Sequence, residues 1–309
     1  MMVSGVSAAQ IKELRDRTGA GMMDCRKALE AVGGDLDKAA EKLRMDGAAK
    51  ADKKAGRVAA EGVIAVAQGA DAVALVEVNC ETDFVAKGDD FRSLANAAAQ
   101  VVLQHRPASL EALVALKMSD RTLDERRREL VSKIGENITI RRFEVIQKAG
   151  ADLVTYVHPG DKIVVAVAMD KGEAQLGKDL AMHAAAMNPR YLEAVSVPAD
   201  AMAAERKIIE AQVAQQQEEE QAAGKKPKPA AIVAQMVDGK LRKFASEITL
   251  LGQPFVKNEA YGLKPDEPIE KVLKLKNAAV ARFVRLAVGE GIEKKQADFA
   301  AEVAAMANA

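Results

Sequence analysis

The chain has 309 residues, 49% hydrophobic and 29% charged, and its 45 basic and 45 acidic residues leave a formal net charge of zero. A protein that tracks phosphates carries a basic surplus, because counterion release supplies most of its affinity, so this balance argues against direct nucleic-acid binding. Only 3% of residues are aromatic and none is Trp, which removes the stacking platforms that single-stranded bases use. No apolar run approaches the roughly 20 residues that span a bilayer. Ser7, Gln10, Lys12 and Glu13 interrupt any signal-peptide stretch, so the expected location is the cytoplasm. Cys25 and Cys80 lie far apart outside any CxxC, which fits a reducing compartment and offers no thiolate zinc site. The three histidines, His105, His158 and His183, would have to come together from distant segments to bind a metal, so neither metal nor cofactor is expected.

In chain order, the first ~45 residues predict three short helices. Ser7 and Gln10 make a capping box ahead of Ile11 and Leu14. Thr18 to Gly21 breaks the first helix, and Met22, Cys25, Leu29 and Val32 form the apolar stripe of the second, with Met22 facing the core more than Met23. Gly33-Gly34 ends it, and Asp35 caps a third helix with Leu36, Ala39, Ala40 and Leu43 inward. So small a bundle buries little core, which suggests that it exists to touch something else. The polar stretch Lys50 to Arg57 reads as a linker.

From Gly62 the pattern switches to period two: Val63, Ala65 and Ala67, a turn at Gly69 to Asp71, then Val73 to Asn79, together a β-hairpin. Helices follow over Phe91–Leu103, near Leu110–Lys117, and after the capping box Thr122…Glu125, with a strand over Ile138–Ile146. The order then recurs. Leu153–Val157, the turn His158 to Asp161 and Ile163–Met169 predict a second hairpin, with a helix over Gln175–Met187. Asn277 is followed by Arg282 and Phe283 at the same offsets as Asn137 by Arg142 and Phe143, so two related ββα…αβ halves are inferred, each a small antiparallel sheet with helices on one face. The second half carries an insertion. Ala201–Ala222 and Ile232–Ile248 are helical around the turn Gly224 to Pro229, with Val233, Val237, Leu241, Phe244 and Ile248 on one stripe of the later helix. The chain closes with a helix from about Ile292 to Met306 that presents Phe299 on its apolar side. The expected fold is α+β, divided as 1–50, 51–61 (linker), 62–150, 151–288 with the hairpin at about 199–248, and 289–309.

Signatures of chemistry are missing: there is no phosphate-binding GxxxxGKS/T, GxSxG, HExxH or dinucleotide turn. Asp89-Asp90 reads as a helix N-cap and its neighbour, His183 as a satisfied buried histidine, Cys25 as core packing, and His158 as an exposed turn residue. An enzyme using Asp89 or His183 is therefore disfavoured. The segment Asn79-Cys80-Glu81-Thr82-Asp83-Phe84-Val85-Ala86-Lys87-Gly88 stands apart, because Phe84 and Val85 sit in a polar stretch after the strand pattern ends. Phe84 either folds back under the sheet, to which the pattern alone tips slightly, or projects as an aromatic anchor of the kind that dominates interfaces.

Two long strings resolve this choice by resemblance. Leu14-Arg15-Asp16-Arg17-Thr18-Gly19-Ala20-Gly21-Met22-Met23-Asp24-Cys25-Arg26-Lys27-Ala28-Leu29 and Glu77-Val78-Asn79-Cys80-Glu81-Thr82-Asp83-Phe84-Val85-Ala86-Lys87 resemble the two signatures of the bacterial elongation factor Ts family. The likeness runs on through Lys133 to Ile138, Gly252 to Val256 and Val288 to Lys294. It implies an N-terminal ubiquitin-associated-like (UBA-like) three-helix module, a duplicated core, a helical-hairpin insertion and a C-terminal helical module. It also implies a partner, the GTPase elongation factor Tu with its own GDP and Mg²⁺, and a task, nucleotide exchange without covalent chemistry. By the same resemblance, Thr82, Asp83, Phe84 and Val85 form the loop that disturbs the magnesium and phosphate site. Arg15, Thr18, Gly19, Ala20, Gly21, Met22 and Met23 grip the GTPase domain, and His158 and Phe299 add further contacts. A higher-order complex through the hairpin is left open. The competing reading, a UBA-type binding adaptor without exchange activity, leaves Thr82–Val85 and the duplicated core unexplained.

Overall fold

In the computed structural model, which describes residues 6–293, the chain forms two compact units, one of them closed by residues from three separate stretches. The first unit opens with α1 (Ala8–Thr18), α2 (Met22–Ala31) and α3 (Leu36–Lys54). Ser7 caps α1 with a full capping box to Gln10, and Asp35 caps α3 by accepting from the backbone N–H groups of Asp37 and Lys38. Leu14, Cys25, Ala28, Leu29 and Ala39 form the core of this bundle.

The polar stretch expected to be a linker is largely helix, since α3 runs on to Lys54 and buries Ala51. The reason lies in small residues. Helix α3 packs against the later helix α7 (Leu123–Ile134), and a Cβ at Gly47 would lie only 3.3 Å from Ser132 Cβ and Oγ. A helix face built of Gly and Ala packs closely without showing the large apolar stripe that sequence reading looks for.

The remaining elements of this unit are β1 (Glu61–Gln68), β2 (Ala72–Cys80), the single turn α4 (Asp83–Ala86), α5 (Asp89–His105), α6 (Leu110–Ala115), the short pair β3 (Lys117–Met118) and β4 (Arg121–Thr122), α7 (Leu123–Ile134) and β5 (Thr139–Gln147). Strands β1 and β2 pair antiparallel, with Gly62 opposite Asn79, and β2 is central in the order β1-β2-β5. Val63, Ala65, Val76 and Val78 pack against Phe91, Leu94, Ala95 and Ala98 of α5. Asp89 and Asp90 are the first two residues of α5 rather than a cap, because Gly88 occupies that position; they complement the helix dipole, and Asp90 pairs with Lys133 at 2.7 Å.

The second unit contains β6 (Leu153–Val157), β7 (Ile163–Lys171), α8 (Ala174–Met187), α9 (Ala199–Ala222), α10 (Ala230–Ile248), α11 (Ile269–Leu275) and β8 (Ala279–Ala287), with sheet order β6-β7-β8. Helices α9 and α10 pack through Ile209, Val213, Val237 and Leu241, and Arg206 of one pairs with Asp238 of the other at 2.9 Å. The architecture is thus α+β, helices with small sheets. The expected C-terminal helix lies outside the described residues.

His183 is fully buried on α8. Its Nδ1 accepts from the Val256 N–H at 3.3 Å, so Nε2 carries the proton and donates to Gln253 Oε1 at 2.9 Å. Gln253 Nε2 in turn donates to Met187 O and Glu247 O, tying the 253–256 segment to the two helix ends. Burial pushes the His183 pKa below its ordinary 6.5, and the Gln253 bond offsets only part of that. Because the folded-state value is depressed, the stabilisation is complete above pH 6.5 and declines as pH falls through the folded value. Urea midpoints measured between about pH 7 and pH 5 should therefore fall for the unmodified chain. The loss traceable to His183 should not exceed about 1.4 kcal/mol per pH step of one, and the same series on His183→Gln should be flatter.

Candidate functional site: an exposed aromatic on a one-turn helix

Strand β2 ends at Cys80 and the chain turns at once into α4, whose four residues face two ways. Ala86 is buried and Val85 packs partly against the core of the first unit, while Phe84 is 82% exposed. An isolated helix of one turn has no stability of its own, so its surroundings must fix this geometry. Thr82 is the N-cap, and its Oγ1 accepts from the Val85 N–H at 3.4 Å. Buried Cys80 donates its Sγ–H to Thr82 O at 3.1 Å. Burial, followed by the charges of Glu136 and Glu61, pushes that thiol up to about 12, so it stays protonated and able to donate. Asp83 forms an exposed pair with Lys87 at 2.7 Å, and that hydrogen bond holds its carboxyl below the ordinary carboxylate range. Phe84 therefore stands beside a carboxylate that Lys87 partners and favours in its ionised form.

The turn that joins α1 to α2 is a second exposed feature of the same unit. Gly19, at φ 68°, ends α1 by donating its N–H to Arg15 O at 2.7 Å, and Thr18 Oγ1 donates to Leu14 O. Gly21 caps α2, Ala20 is half-buried, and Arg15 and Thr18 are exposed. Met22 and Met23 are 58% and 61% exposed, which corrects the expectation that Met22 faces inward. Side chains of a helix lean toward its N-terminus, and at the first position there is no earlier turn for Met22 to cover. Two flexible thioethers thus lie side by side on the surface.

His158 belongs to the second unit, exposed at the end of β6 with its Nδ1 3.1 Å from the Tyr156 hydroxyl. Phe299 lies outside the described residues. Among the described residues no group of three or more His, Cys, Asp or Glu side chains could hold a metal, and no helix is long and apolar enough to cross a membrane.

Sequence reading missed the residues that hold the α4 stub in place. Glu136, just past α7, receives Thr82 Oγ1 at 2.6 Å and the backbone N–H groups of Glu81 and Thr82 at 3.1 and 3.0 Å. The partners are 54 and 55 positions apart in sequence. No local pattern links them; Glu136 and Asn137 follow the helix-ending Gly135 within the string Lys133 to Ile138 that shares in the resemblance, but nothing there pairs them with Glu81 or Thr82.

Residues 81–290 match the protein family described as Elongation factor TS. Curated proteins named Elongation factor Ts are similar over nearly the whole chain. The one from Hydrogenovibrio crunogenus is 50% identical over 98% of both chains, that from Methylococcus capsulatus 49% over 98% of this chain and 99% of its own, and that from Thioalkalivibrio sulfidiphilus 47% over 98% of both. With its exposed α4 stub and its α1–α2 turn inside so extended a likeness, this chain belongs to the elongation factor Ts family.

Proposed function

We propose that this chain is a guanine-nucleotide exchange factor that binds elongation factor Tu carrying GDP and drives the nucleotide out, so that GTP can reload during translation elongation. The observation that carries the reading is Phe84, a large aromatic 82% exposed at the tip of a stub whose inner face is packed and capped. Rigid, projecting aromatics of this kind dominate interface energetics. Phe84, backed by Val85, wedges into the cleft of the GTPase that shapes the magnesium site. Asp83, whose ionised form Lys87 favours, brings a carboxylate toward the partner's metal and phosphates. Thr18 to Met23, with Arg15, grips the GTPase domain, where Met22 and Met23 offer adaptable apolar contact. His158 and Phe299 add outer contacts. In this reading helices α1–α3 are a UBA-like module, residues 62–150 and 151–288 are the duplicated core halves, α9–α10 are a helical-hairpin arm, and the protein works in the cytoplasm.

No covalent bond changes in this process. It is negative coupling between two ligands of one GTPase, and the coupling is reciprocal: the factor weakens GDP as much as GDP weakens the factor. A nanomolar nucleotide is held by about 12 kcal/mol, and weakening it a thousandfold needs about 4 kcal/mol of differential contact, within reach of one good interface.

Stopped-flow release of a fluorescent GDP from elongation factor Tu tests the reading. The unmodified chain should accelerate release, and Phe84→Ala should lose about 2 kcal/mol of that effect, roughly thirtyfold in maximal rate, while its thermal unfolding stays unchanged. An unaccelerated rate with the unmodified chain would sink the exchange reading. Equal acceleration by both proteins would keep the exchange reading and remove Phe84 as its lever.

A further inference from the structure

The α4 stub is joined to the end of α7 by an exchange of carboxylates. Glu136 receives the N–H groups of Glu81 and Thr82 and the Thr82 hydroxyl. In return, Glu81 Oε1 receives the Asn137 N–H at 2.6 Å. Buried Asn137 closes the arrangement by donating Nδ2 to Arg57 O at 2.7 Å and to Ala55 O at 3.3 Å, in the turn that leads from α3 into β1. Two further contacts anchor the same corner: Arg57 Nη1 lies 3.4 Å from Glu81 Oε1, and Lys54 Nζ donates to Gly135 O. Three segments distant in sequence, 54–57, 81–82 and 135–137, thus meet beneath the base of α4.

The corner borders the core of the first unit, where Val78, Cys80, Ala86 and Phe91 are buried together. What the exchange adds is direction. It fixes both backbone amides immediately before the helix and the hydroxyl that caps it, and these groups decide where the first turn points. Charge-assisted bonds of this kind are the shorter and stronger class, and a four-residue helix depends on them because it cannot hold itself. A wedge exerts its effect only in so far as its free form already has the bound geometry, because any ordering left to the moment of contact is subtracted from the interaction.

We infer that Glu136, with Glu81 and Asn137, forms a reciprocal latch that presets Phe84 for entry into the partner, which makes Glu136 a positioning residue for nucleotide release. The inference rests on the exchange reading above. Its mark is that the latch acts through Phe84 and through nothing else: it sets how well the bound factor expels GDP, not how well the factor binds.

The test is a double-mutant cycle in the GDP-release assay, run over a range of factor concentrations with the unmodified chain, Glu136→Gln, Phe84→Ala and the double variant. Glutamine keeps the shape and one acceptor oxygen for the two N–H groups but loses the charge, and its NH₂ meets the Thr82 hydroxyl, which must turn from donor to acceptor. Glu136→Gln should lower the maximal release rate about tenfold or more, with the half-saturating concentration unchanged within about twofold. Added to Phe84→Ala, it should have no further effect. Amide hydrogen exchange on the free protein supplies a readout independent of the partner: Thr82 and Val85 should exchange about tenfold faster in Glu136→Gln, with β1, β2 and α5 unaltered. Glu136→Asp should recover part of both effects. A maximal rate equal to that of the unmodified chain, a loss that multiplies with that of Phe84→Ala, a change confined to the half-saturating concentration, or unchanged exchange at Thr82 and Val85 would each overturn the latch. If the unmodified chain itself fails to accelerate release, the exchange reading falls and the positioning role falls with it. Normal release by the unmodified chain with an inert Glu136→Gln overturns the latch alone.

Discussion

Replacing Glu77 with alanine should lower the stability of the first unit by about 3 kcal/mol, the lower end of what removing one partner of a buried ion pair costs, because the arginines left behind reach solvent. Glu77 sits on central strand β2 with no exposed surface. Its carboxylate receives Arg141 Nη1 at 3.0 Å, Arg142 Nε at 2.5 Å, the Gly289 N–H at 2.7 Å and Asn79 Nδ2 at 3.1 Å. The two arginines then continue outward: Arg141 to Glu290 O at 2.5 Å, and Arg142 to Ala287 O at 3.0 Å. One buried carboxylate therefore ties segment 287–290 to the first sheet. Burial alone would raise its pKa, but the Gly289 amide, Arg142 and Arg141 outweigh burial and hold it below the ordinary 4.5. The sign follows from that depression: the contribution is complete above pH 4.5 and is lost as pH falls through the folded value. The gap between the unmodified chain and Glu77→Ala in urea denaturation should be widest near neutral pH and should narrow in acid. Glu77→Gln should lie between the two, since an amide oxygen still accepts one bond while the charge is gone. Equal stability of Glu77→Ala and the unmodified chain at pH 7 would mean that the arginines hold segment 287–290 unaided.

The features legible in the sequence were those written within a few residues. Ser7 with Gln10, and Thr122 with Glu125, form the capping boxes expected of them, because a cap is a contact between positions three apart. The β1–β2 hairpin was equally local, set by alternating apolar residues around a Gly-containing turn. The exposure of Phe84 was not local, since a period-two pattern that has just ended gives no face on which to place the next aromatic; the resemblance supplied what the pattern could not. The Glu77 cluster was hidden for a different reason. Neighbouring residues on a strand ordinarily face opposite ways, yet Arg141 and Arg142 both reach Glu77. The core-facing residues of this stretch shift from Ile138 and Ile140 to Phe143 and Val145. The alternation changes phase between them, as it does where a strand carries an extra residue, and strict alternation read from sequence would have separated the two arginines. The Glu136 latch and the Gly47–Ser132 approach of α3 to α7 share one cause of invisibility: each joins elements far apart in sequence through side chains too small or too polar to mark a core face.

The second large effect is expected at Gly62. Its φ of 147° lies where side chains are rarely found, and a Cβ built there would lie 2.1 Å from Val78 O and 2.8 Å from Asn79 Cα. Both neighbours are backbone of the central strand, so they cannot swing aside as a flexible side chain would. Gly62→Ala must therefore either accept the strain or part β1 from β2 where Gly62 opposes Asn79. Backbone strain of about 1–3 kcal/mol and overpacking of about 1–3 kcal/mol together predict a loss of about 4 kcal/mol in urea denaturation. Gly33→Ala provides the control, because Gly33 also has a positive φ, 70°, but meets nothing within 4 Å. It should show the strain alone, about 1 kcal/mol. The excess of Gly62→Ala over Gly33→Ala measures the clash together with the greater strain of a side chain at φ 147° than at 70°. The consequence also reaches the site. Strand β2 runs from Asn79 through Cys80 directly into the turn that Glu136 holds, and Asn79 Nδ2 donates to Glu61 O at 3.2 Å across the same pair. A displaced β1–β2 register would carry the base of α4 with it. Gly62→Ala should therefore slow GDP release in whatever fraction stays folded, whereas Gly33→Ala should leave release unchanged. If Gly62→Ala proved as mild as Gly33→Ala, the two strands would not meet as closely as this geometry requires, and the rigid base under Phe84 would lose its support.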